Sequence, residues 1–156
     1  AGNSAMTPIE NTIMALALHP PAEAGAAGEV PLGAVVVEAG GEVIARSGNR
    51  VERDGDPTAH AEMVVLREAA ARLGVKTLSI CDLYVSLEPC PMCAAAIALS
   101  RIRRLYFAAF DPKGGGVEHG PRIFAQPTCR HRPEVYGGIG ERRAAELLRA
   151  FFRDKR

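Results

Sequence analysis

The sequence predicts an α/β protein in which helices cover a mixed β-sheet, and three observations support this class. Short apolar runs bounded by turn residues alternate with longer segments of helical periodicity. The run Leu32–Glu38 is rich in valine, as expected of a buried strand. The 156 residues are 47% hydrophobic and 24% charged, which is typical of one globular domain and not of a disordered or collagen-like chain.

The N-terminal part of the chain predicts a helix followed by a hairpin. The helix spans Glu10–Leu18 and ends at His19-Pro20-Pro21, because proline cannot continue a helix and disfavours helical geometry in the residue before it. The turn residues Ala39-Gly40-Gly41 separate the strand Leu32–Glu38 from a second strand, Glu42–Ser47, and this order predicts a β-hairpin. We expect Ala1–Ala5, ahead of Met6, to be a remnant of an expression tag, so that one domain spans residues 6–156.

The middle of the chain predicts a polar loop and a long helix. The loop covers Arg50–Pro57, and the helix covers Thr58–Leu73 with Thr58 near its N-cap. Gly74 is expected to end this helix, since glycine readily adopts the left-handed conformation found after helix C-termini.

The C-terminal half predicts three further strands, two helices and a glycine-rich loop. In chain order they are Asp82–Leu87 (strand), Pro89–Leu99 (helix), Arg104–Phe110 (strand), Asp111–Gly120 (loop), Glu134–Tyr136 (short strand) and Glu141–Arg153 (helix). Pro91 suits the first helical position of Pro89–Leu99. The last helix carries an apolar stripe at helical spacing, formed by Ala144, Leu147, Leu148 and Phe151.

Charge is distributed unevenly along the chain. Residues 1–100 carry 6 Lys/Arg and 12 Asp/Glu, whereas residues 101–156 carry 13 and 6, and 11 of these 13 are arginines. Arginine suits phosphate groups and stacked bases, so a nucleic-acid surface is one interpretation. A solvated face without a ligand is the other, since the net charge of the whole chain is only +1. The four cysteines are too few for a disulfide scaffold, and we expect a cytoplasmic protein.

Two short segments carry residues that packing does not explain. Glu62 lies on the apolar face of the predicted helix Thr58–Leu73, where an unpaired carboxylate is costly. Two residues before it lies His60, and Cys90 and Cys93 lie at the start of the next helix. Two cysteines and a histidine form the ligand set of a catalytic zinc site with one open position, and Glu62 could then act as the general base.

Other interpretations of the cysteines remain open from the residues alone. Cys90 and Cys93 could form a thioredoxin-like redox pair, or half of a structural zinc site in a binding module without catalytic activity. Neither alternative explains the carboxylate beside the histidine. His19 and His119 are interpreted as loop positions, and Cys81 and Cys129 as small buried or partly exposed side chains.

The segments His60-Ala61-Glu62 and Pro89-Cys90-Pro91-Met92-Cys93 resemble the signature of the zinc-dependent cytidine deaminase superfamily. The chain is most similar to the bacterial tRNA-specific adenosine deaminases of that superfamily, through Gly28–Val36, Asp56–Glu62, Leu83–Cys90, Ser100–Ile102 and Phe151–Arg153. It departs from them where His19-Pro20-Pro21 interrupts the first helix.

The resemblance implies a three-layer α/β/α sandwich around a mixed five-stranded sheet, which acts as a homodimer and binds one Zn²⁺ per subunit. It implies that adenosine becomes inosine at the first anticodon position of a tRNA, that of arginine in most bacteria. The implied ligands are His60, Cys90 and Cys93, and the implied proton shuttle is Glu62. Residues implied to contact the base or the anticodon stem-loop are Asn49, Ala61, Asp111, Lys113, His131, Phe151 and Arg153. A deaminase of free cytosine or guanine on the same fold is the alternative.

Overall fold

The computed structural model describes residues 6–21 and 32–154, with the side chains of 151, 152 and 154 excepted. In chain order its helices and strands are α1 (Pro8–Leu18), β1 (Gly33–Glu38), β2 (Val43–Gly48), α2 (Val51–Asp54), α3 (Ala61–Leu73), β3 (Cys81–Leu87), α4 (Pro91–Leu99), β4 (Arg104–Ala109), a 3-10 turn (Ile123–Ala125), β5 (Glu134–Gly137) and α5 (Glu141–Asp154). The segment Ala1–Ala5 lies outside the described residues. No helix within these bounds is both long and apolar enough to cross a membrane.

The five strands form one mixed sheet in the order β2-β1-β3-β4-β5. Strand β1 pairs antiparallel with β2 and with β3, while β3, β4 and β5 run parallel. The predicted hairpin and the predicted mixed sheet are therefore confirmed. Because β3 and β4 are parallel, the chain must cross over between them, and α4 makes that crossover.

Helices cover both faces of the sheet, which gives the three-layer architecture. One core packs α3 and α4 against alternate strand residues such as Val36, Leu83 and Phe107. The other packs α1 and α5 against the residues between them, such as Val35 and Tyr84. This alternation follows from the two-residue period of a β-strand, and both faces are apolar because both are covered.

Two local predictions are wrong in informative ways. Thr58 does not cap α3; its amide and hydroxyl both donate to Asp56 Oδ1, at 2.8 Å each, and His60 takes the N-cap position. The Asp56 side chain therefore builds a turn ahead of the helix and delays the helix start to Ala61. The predicted loop Arg50–Pro57 also contains the single helical turn α2, which ends at Gly55 in the left-handed conformation.

The observed bounds of the first and last helices agree closely with the bounds predicted from the sequence. Helix α1 begins two residues earlier than predicted, because Thr7 and Glu10 form a capping box. In α5, Ala144 is buried and Leu147 packs against the same core, as the apolar stripe predicts. The side chain of Phe151, the last member of that stripe, lies outside the described residues.

Candidate active site

The site is built at the beginnings of two neighbouring helices, α3 and α4. His60 is the N-cap residue of α3, and Cys90 is the N-cap residue of α4. Pro91 occupies the first position of α4, as predicted, and Cys93 lies in its first turn. Strand β3 ends three residues before Cys90, and His60 reaches the same edge of the sheet through the segment after β2 that includes α2, so both lie where helix dipoles favour thiolates.

The structure brings the three predicted ligands into one cluster. His60 Nδ1 lies 3.6 Å from Cys90 Sγ and 3.6 Å from Cys93 Sγ, and all three donor atoms lie within 4.8 Å of one another. A tetrahedral zinc ion with Zn–S bonds of about 2.3 Å and Zn–N bonds of about 2.05 Å separates its sulfur and nitrogen ligands by about 3.6 Å. The donor set therefore fits zinc, and an imidazole placed between the sulfurs favours a metal site over a redox pair.

The two thiols differ in acidity. The hydrogen bond from Cys93 lowers the pKa of the Cys90 thiol to about 5 against the opposing effect of burial, and nearby amides and His60 lower it further. The same hydrogen bond, together with burial, raises the pKa of the Cys93 thiol. The lowered pKa thus favours a thiolate at Cys90 at neutral pH, and Cys93 would have to release a proton before its sulfur could bind a metal.

Glu62 lies on the first turn of α3, on the same side as the cluster. Its carboxyl borders the cavity that also contains His60 and Cys90. Burial raises the pKa of Glu62, and the negative charge of Cys90 adds to this, while its backbone amide and His60 act in the opposite direction. A carboxyl group with a raised pKa is suited to accept a proton and return it near neutral pH.

The cavity has a volume of about 240 Å³, and six of the eleven predicted site residues lie around it. These residues are Asn49, His60, Ala61, Glu62, Cys90 and Asp111. Leu32, Gly33, Val85, Ser86, Leu87, Glu88 and Gly114 complete its lining. The Oδ1 atom of Asn49 accepts a hydrogen bond from the Val51 amide at 3.4 Å, which leaves the amide NH₂ group to donate.

Other predicted contact residues lie elsewhere. His131 borders a second cavity beside the end of α4, and its Nε2 atom hydrogen-bonds the Ile102 carbonyl at 2.6 Å. Lys113 is exposed on the loop after Asp111, and Arg153 is exposed near the end of α5. The contacts of Phe151 lie outside the described residues. The structure thus gathers Asn49, Ala61 and Asp111 around one cavity with His60 and Cys90, and the buried Cys93 lies beside them in the metal cluster. Lys113, His131 and Arg153 lie outside this cavity.

Sequence reasoning missed Glu88, which follows β3 directly and lies two residues before the first cysteine. Its side chain is fully buried and lies within hydrogen-bond distance, 2.8 Å, of His119 Nδ1. Burial would raise the pKa of Glu88, but hydrogen bonds from the Asp111 amide, the His119 ring and further amides lower it overall. A carboxylate two residues before the Cys-x-x-Cys segment was the available signal, and His119, interpreted as a loop position, is its partner.

Comparison with known proteins agrees with this geometry. Residues 8–109 match the family described as the cytidine and deoxycytidylate deaminase zinc-binding region. The chain is 59% identical over 143 residues to a tRNA-specific adenosine deaminase of Agrobacterium fabrum, covering 92% of this chain and 93% of the relative. A tRNA-specific adenosine deaminase of Bacillus subtilis is 46% identical over 129 residues, or 83% of this chain and 80% of that protein.

Two solved structures are also similar. A structure from a study of A-to-I editing by tRNA:A34 deaminases superposes with a TM-score of 0.84 at 56% identity, over 88% of this chain and 99% of that one. A guanine deaminase from Nitrosomonas europaea gives a TM-score of 0.77 at 28% identity, over 95% of this chain and 86% of that one.

The zinc-compatible cluster, the sheet order and the match over residues 8–109 agree with one another. The chain belongs to the cytidine and deoxycytidylate deaminase family, and it binds one zinc ion per subunit.

Proposed function

We propose that this protein hydrolyses adenosine to inosine at the first anticodon position of a transfer RNA. The observation that carries the proposal is one cavity lined by Glu62, Asn49 and two members of the His60–Cys90–Cys93 cluster, His60 and Cys90. The 59% identity to a tRNA-specific adenosine deaminase supports adenosine in RNA as the substrate.

In this reaction a water molecule adds to C6 of the purine and ammonia leaves, so that adenosine and water give inosine and ammonia. We assign His60, Cys90 and Cys93 as the zinc ligands. When zinc is bound there, it activates a water molecule for attack at neutral pH. Both thiols are needed as thiolates for this role, and the lowered pKa of Cys90 favours the first of them.

Glu62 is assigned as the proton shuttle. Its carboxylate accepts a proton from the attacking water, passes it to N1 of the purine, and assists proton transfer to the departing amine. The raised pKa of Glu62 suits a group that must take up a proton and release it in one cycle. Its place on α3, two residues after His60, holds it next to the reacting atoms.

Asn49 and Ala61 are assigned to binding the target base. The Asn49 Oδ1 atom is engaged by the Val51 amide, so its NH₂ group is directed to an acceptor on the base. A cavity of about 240 Å³ accepts a single base, which must leave its stack to reach the zinc site. A nucleotide in an anticodon loop is already unpaired, so this step costs less there than in a duplex.

The RNA backbone is assigned to the arginine-rich part of the chain and to the loop after β4. Arg142, Arg143, Arg149 and Arg153 are exposed on α5. Arg103 and Arg104 are less available, because they form ion pairs of 2.8 Å with Asp82 and 2.6 Å with Glu134. We therefore assign the phosphate contacts to the α5 arginines and Lys113, and further contacts with the anticodon stem-loop to Asp111, His131 and Phe151.

We further propose an arginine tRNA as the substrate, a homodimer as the active assembly and the cytoplasm as its location. The Leu99 side chain at the end of α4 is 80% exposed and lies beside an apolar cavity formed with Ala95, Ala98 and Ile123. Such a surface suits contact with a second copy of the chain.

A deaminase of a free base, guanine or cytosine, is the second candidate. The similarity to the guanine deaminase of Nitrosomonas europaea favours guanine within this class. This candidate needs the same zinc cluster and no basic surface.

Parallel assays with different substrates distinguish the two candidate functions. The zinc-loaded protein is offered an arginine-tRNA anticodon stem-loop and, in parallel, free adenosine, guanine and cytosine, and ammonia and inosine are measured. Turnover of the stem-loop alone is the expected result. Turnover of a free base alone would assign the protein to the second class.

A further inference from the structure

Glu88 is a buried carboxylate that five hydrogen-bond donors surround. The backbone amides of four residues donate to it: Asp111 at 3.1 Å, Val117 at 3.1 Å, Glu118 at 2.9 Å and His119 at 3.1 Å. The fifth donor is His119 Nδ1, at 2.8 Å. Burial of a charge is costly unless hydrogen bonds satisfy it, and these five bonds make the position stable.

All five donors belong to one loop, residues 111–119, which follows β4. The two carboxylate oxygens accept hydrogen bonds from different donors. Oε1 accepts from the Asp111 amide and the His119 ring, and Oε2 accepts from three consecutive amides at residues 117–119. Glu88 therefore links the beginning of the loop to its end. These hydrogen bonds hold the loop in place without a helix or a strand.

The same loop packs closely against the turn that carries Cys90. The Gly116 amide donates to the Pro89 carbonyl at 2.8 Å. A Cβ atom at Gly115 would collide with the Glu88 carboxylate, and one at Gly116 would collide with the backbone of Pro91. Two glycines in succession are thus required for this close approach.

The loop also forms part of the wall of the catalytic cavity, through Asp111 and Gly114. The Asp111 Oδ1 atom accepts from the amides of Lys113 and Gly114, at 3.3 and 3.0 Å. Displacement of the 111–119 loop would therefore move the cavity wall. It would leave Glu62 in place, because Glu62 is carried by α3.

We propose that Glu88 and His119 are a positioning pair, which holds the 111–119 loop against the Cys90 turn and so shapes the substrate side of the cavity. This inference rests on the proposed function for the identity of the substrate. The pair acts on substrate binding through Asp111 and Gly114, and it takes no part in proton transfer.

The Glu88→Gln substitution should affect the contacts at the two ends of the loop differently. The glutamine side chain has one oxygen, which can accept, and one NH₂ group, which cannot. In either orientation the NH₂ group therefore meets hydrogen-bond donors at one end of the loop. The less costly orientation keeps the oxygen toward residues 117–119 and turns the NH₂ group toward His119, whose ring can accept in its other tautomer. The Asp111 amide then loses its acceptor, so Glu88→Gln releases Asp111, whereas Glu88→Ala releases the whole loop.

The experiment combines amide hydrogen exchange with steady-state kinetics on the zinc-loaded protein. Glu88→Gln should lose protection at the Asp111 amide and keep it at residues 117–119. With the anticodon stem-loop, KM should rise by about tenfold or more while kcat stays within about threefold. Zinc content should remain one equivalent. Glu42→Gln, an exposed carboxylate in the hairpin turn, is the control and should match the wild type.

His119 provides a rescue test. His119→Ala removes the ring donor and should raise KM, and His119→Asn should restore it, because the asparagine NH₂ group can take the place of Nδ1–H. If His119→Ala acted only by lowering the stability of the protein, His119→Asn would not restore KM selectively.

Three results would overturn the proposal: unchanged exchange at Asp111, altered exchange with an unchanged KM, or a fall in kcat together with loss of zinc. Failure of the proposed function is recognised separately, by a wild-type protein that deaminates only a free base. The KM for that base would then test the same pair, because it enters the same cavity.

Discussion

His60 Nδ1 lies 3.6 Å from Cys93 Sγ, although 33 residues separate the two in the chain. The contact exists because the chain leaves β2 and β3 at the same edge of the sheet, so that α3 and α4 begin near each other. His60 and Cys90 are the N-cap residues of α3 and α4, and neither caps its helix through a side-chain hydrogen bond. The side chains are therefore directed to each other and to a shared metal.

Loss of one ligand should remove the zinc. Cys93→Ser and His60→Ala should each reduce bound zinc from one equivalent to a small fraction after dialysis against a mild chelator, because two ligands hold the ion poorly. Metal content by mass spectrometry or atomic absorption measures the effect. Cys129→Ser is the matched control, since Cys129 lies outside the cluster. Full occupancy in either ligand variant would contradict the assignment.

Glu62→Gln should separate metal binding from catalysis. The amide keeps the shape of the side chain but cannot accept a proton, so kcat should fall by about 10²–10⁴-fold or more. Zinc content should stay at one equivalent. Glu68→Gln on the exposed face of α3 should leave kcat unchanged. A Glu62→Gln variant with wild-type turnover would remove Glu62 from the mechanism.

The metal cluster was predictable because residues in it and next to it break local patterns. Glu62 interrupts an apolar helix face, and Cys90 and Cys93 stand where a strand gives way to a helix. Spacing within each segment then places these side chains on one side of each helix. The burial of β1 was also predictable, since an apolar valine-rich run indicates burial on both faces of a sheet.

Glu88 and the start of α3 were not predictable in the same way. The role of Glu88 depends on a loop 23 to 31 residues further along the chain, and no periodicity links the two. At the start of α3, Asp56 competes for the Thr58 amide and hydroxyl, and this local bond outweighs the N-cap preference of threonine. Both cases depend on side-chain hydrogen bonds, which cannot be predicted from the pattern of hydrophobic residues.

RNA binding should weaken steeply with salt. Each phosphate neutralised by an arginine on α5 releases counterions, and for a single strand the affinity falls with a log–log slope of about −0.7 per contact. Arg149→Gln should lower both affinity and slope, measured by fluorescence anisotropy with a stem-loop. Lys76→Gln removes the same charge from the loop after α3 and should change neither. Binding that is insensitive to salt would contradict a phosphate surface.

The homodimer should depend on Leu99. Glutamate at this 80%-exposed position would place a charge in the proposed interface and shift the protein toward monomers in light scattering coupled to gel filtration. Ile80→Glu, at a position 57% exposed, is the control, because Ile80 does not border the cavity next to Leu99. A Leu99→Glu protein with the wild-type mass would exclude this surface as the interface.

Glu10 should make stability depend on pH. Although its partial burial opposes ionisation, hydrogen bonds from the Thr7 amide and from Tyr106, at 2.8 Å each, lower the pKa of Glu10 below its usual 4.5. The pKa is lower in the folded protein than in the unfolded chain. Glu10 therefore stabilises the fold above about pH 4.5, and this contribution is lost as pH falls through the folded-state pKa.

The measurement compares urea unfolding of the wild type and Glu10→Gln at pH 7 and at pH 3. At pH 7 the variant should be less stable by about 1 kcal/mol, as for loss of a helix cap, and the difference should shrink at pH 3. Glu42→Gln, in the exposed hairpin turn, should show no such change with pH. A difference for Glu10→Gln that is equal at both pH values would mean that shape, and not charge, holds α1 to Tyr106.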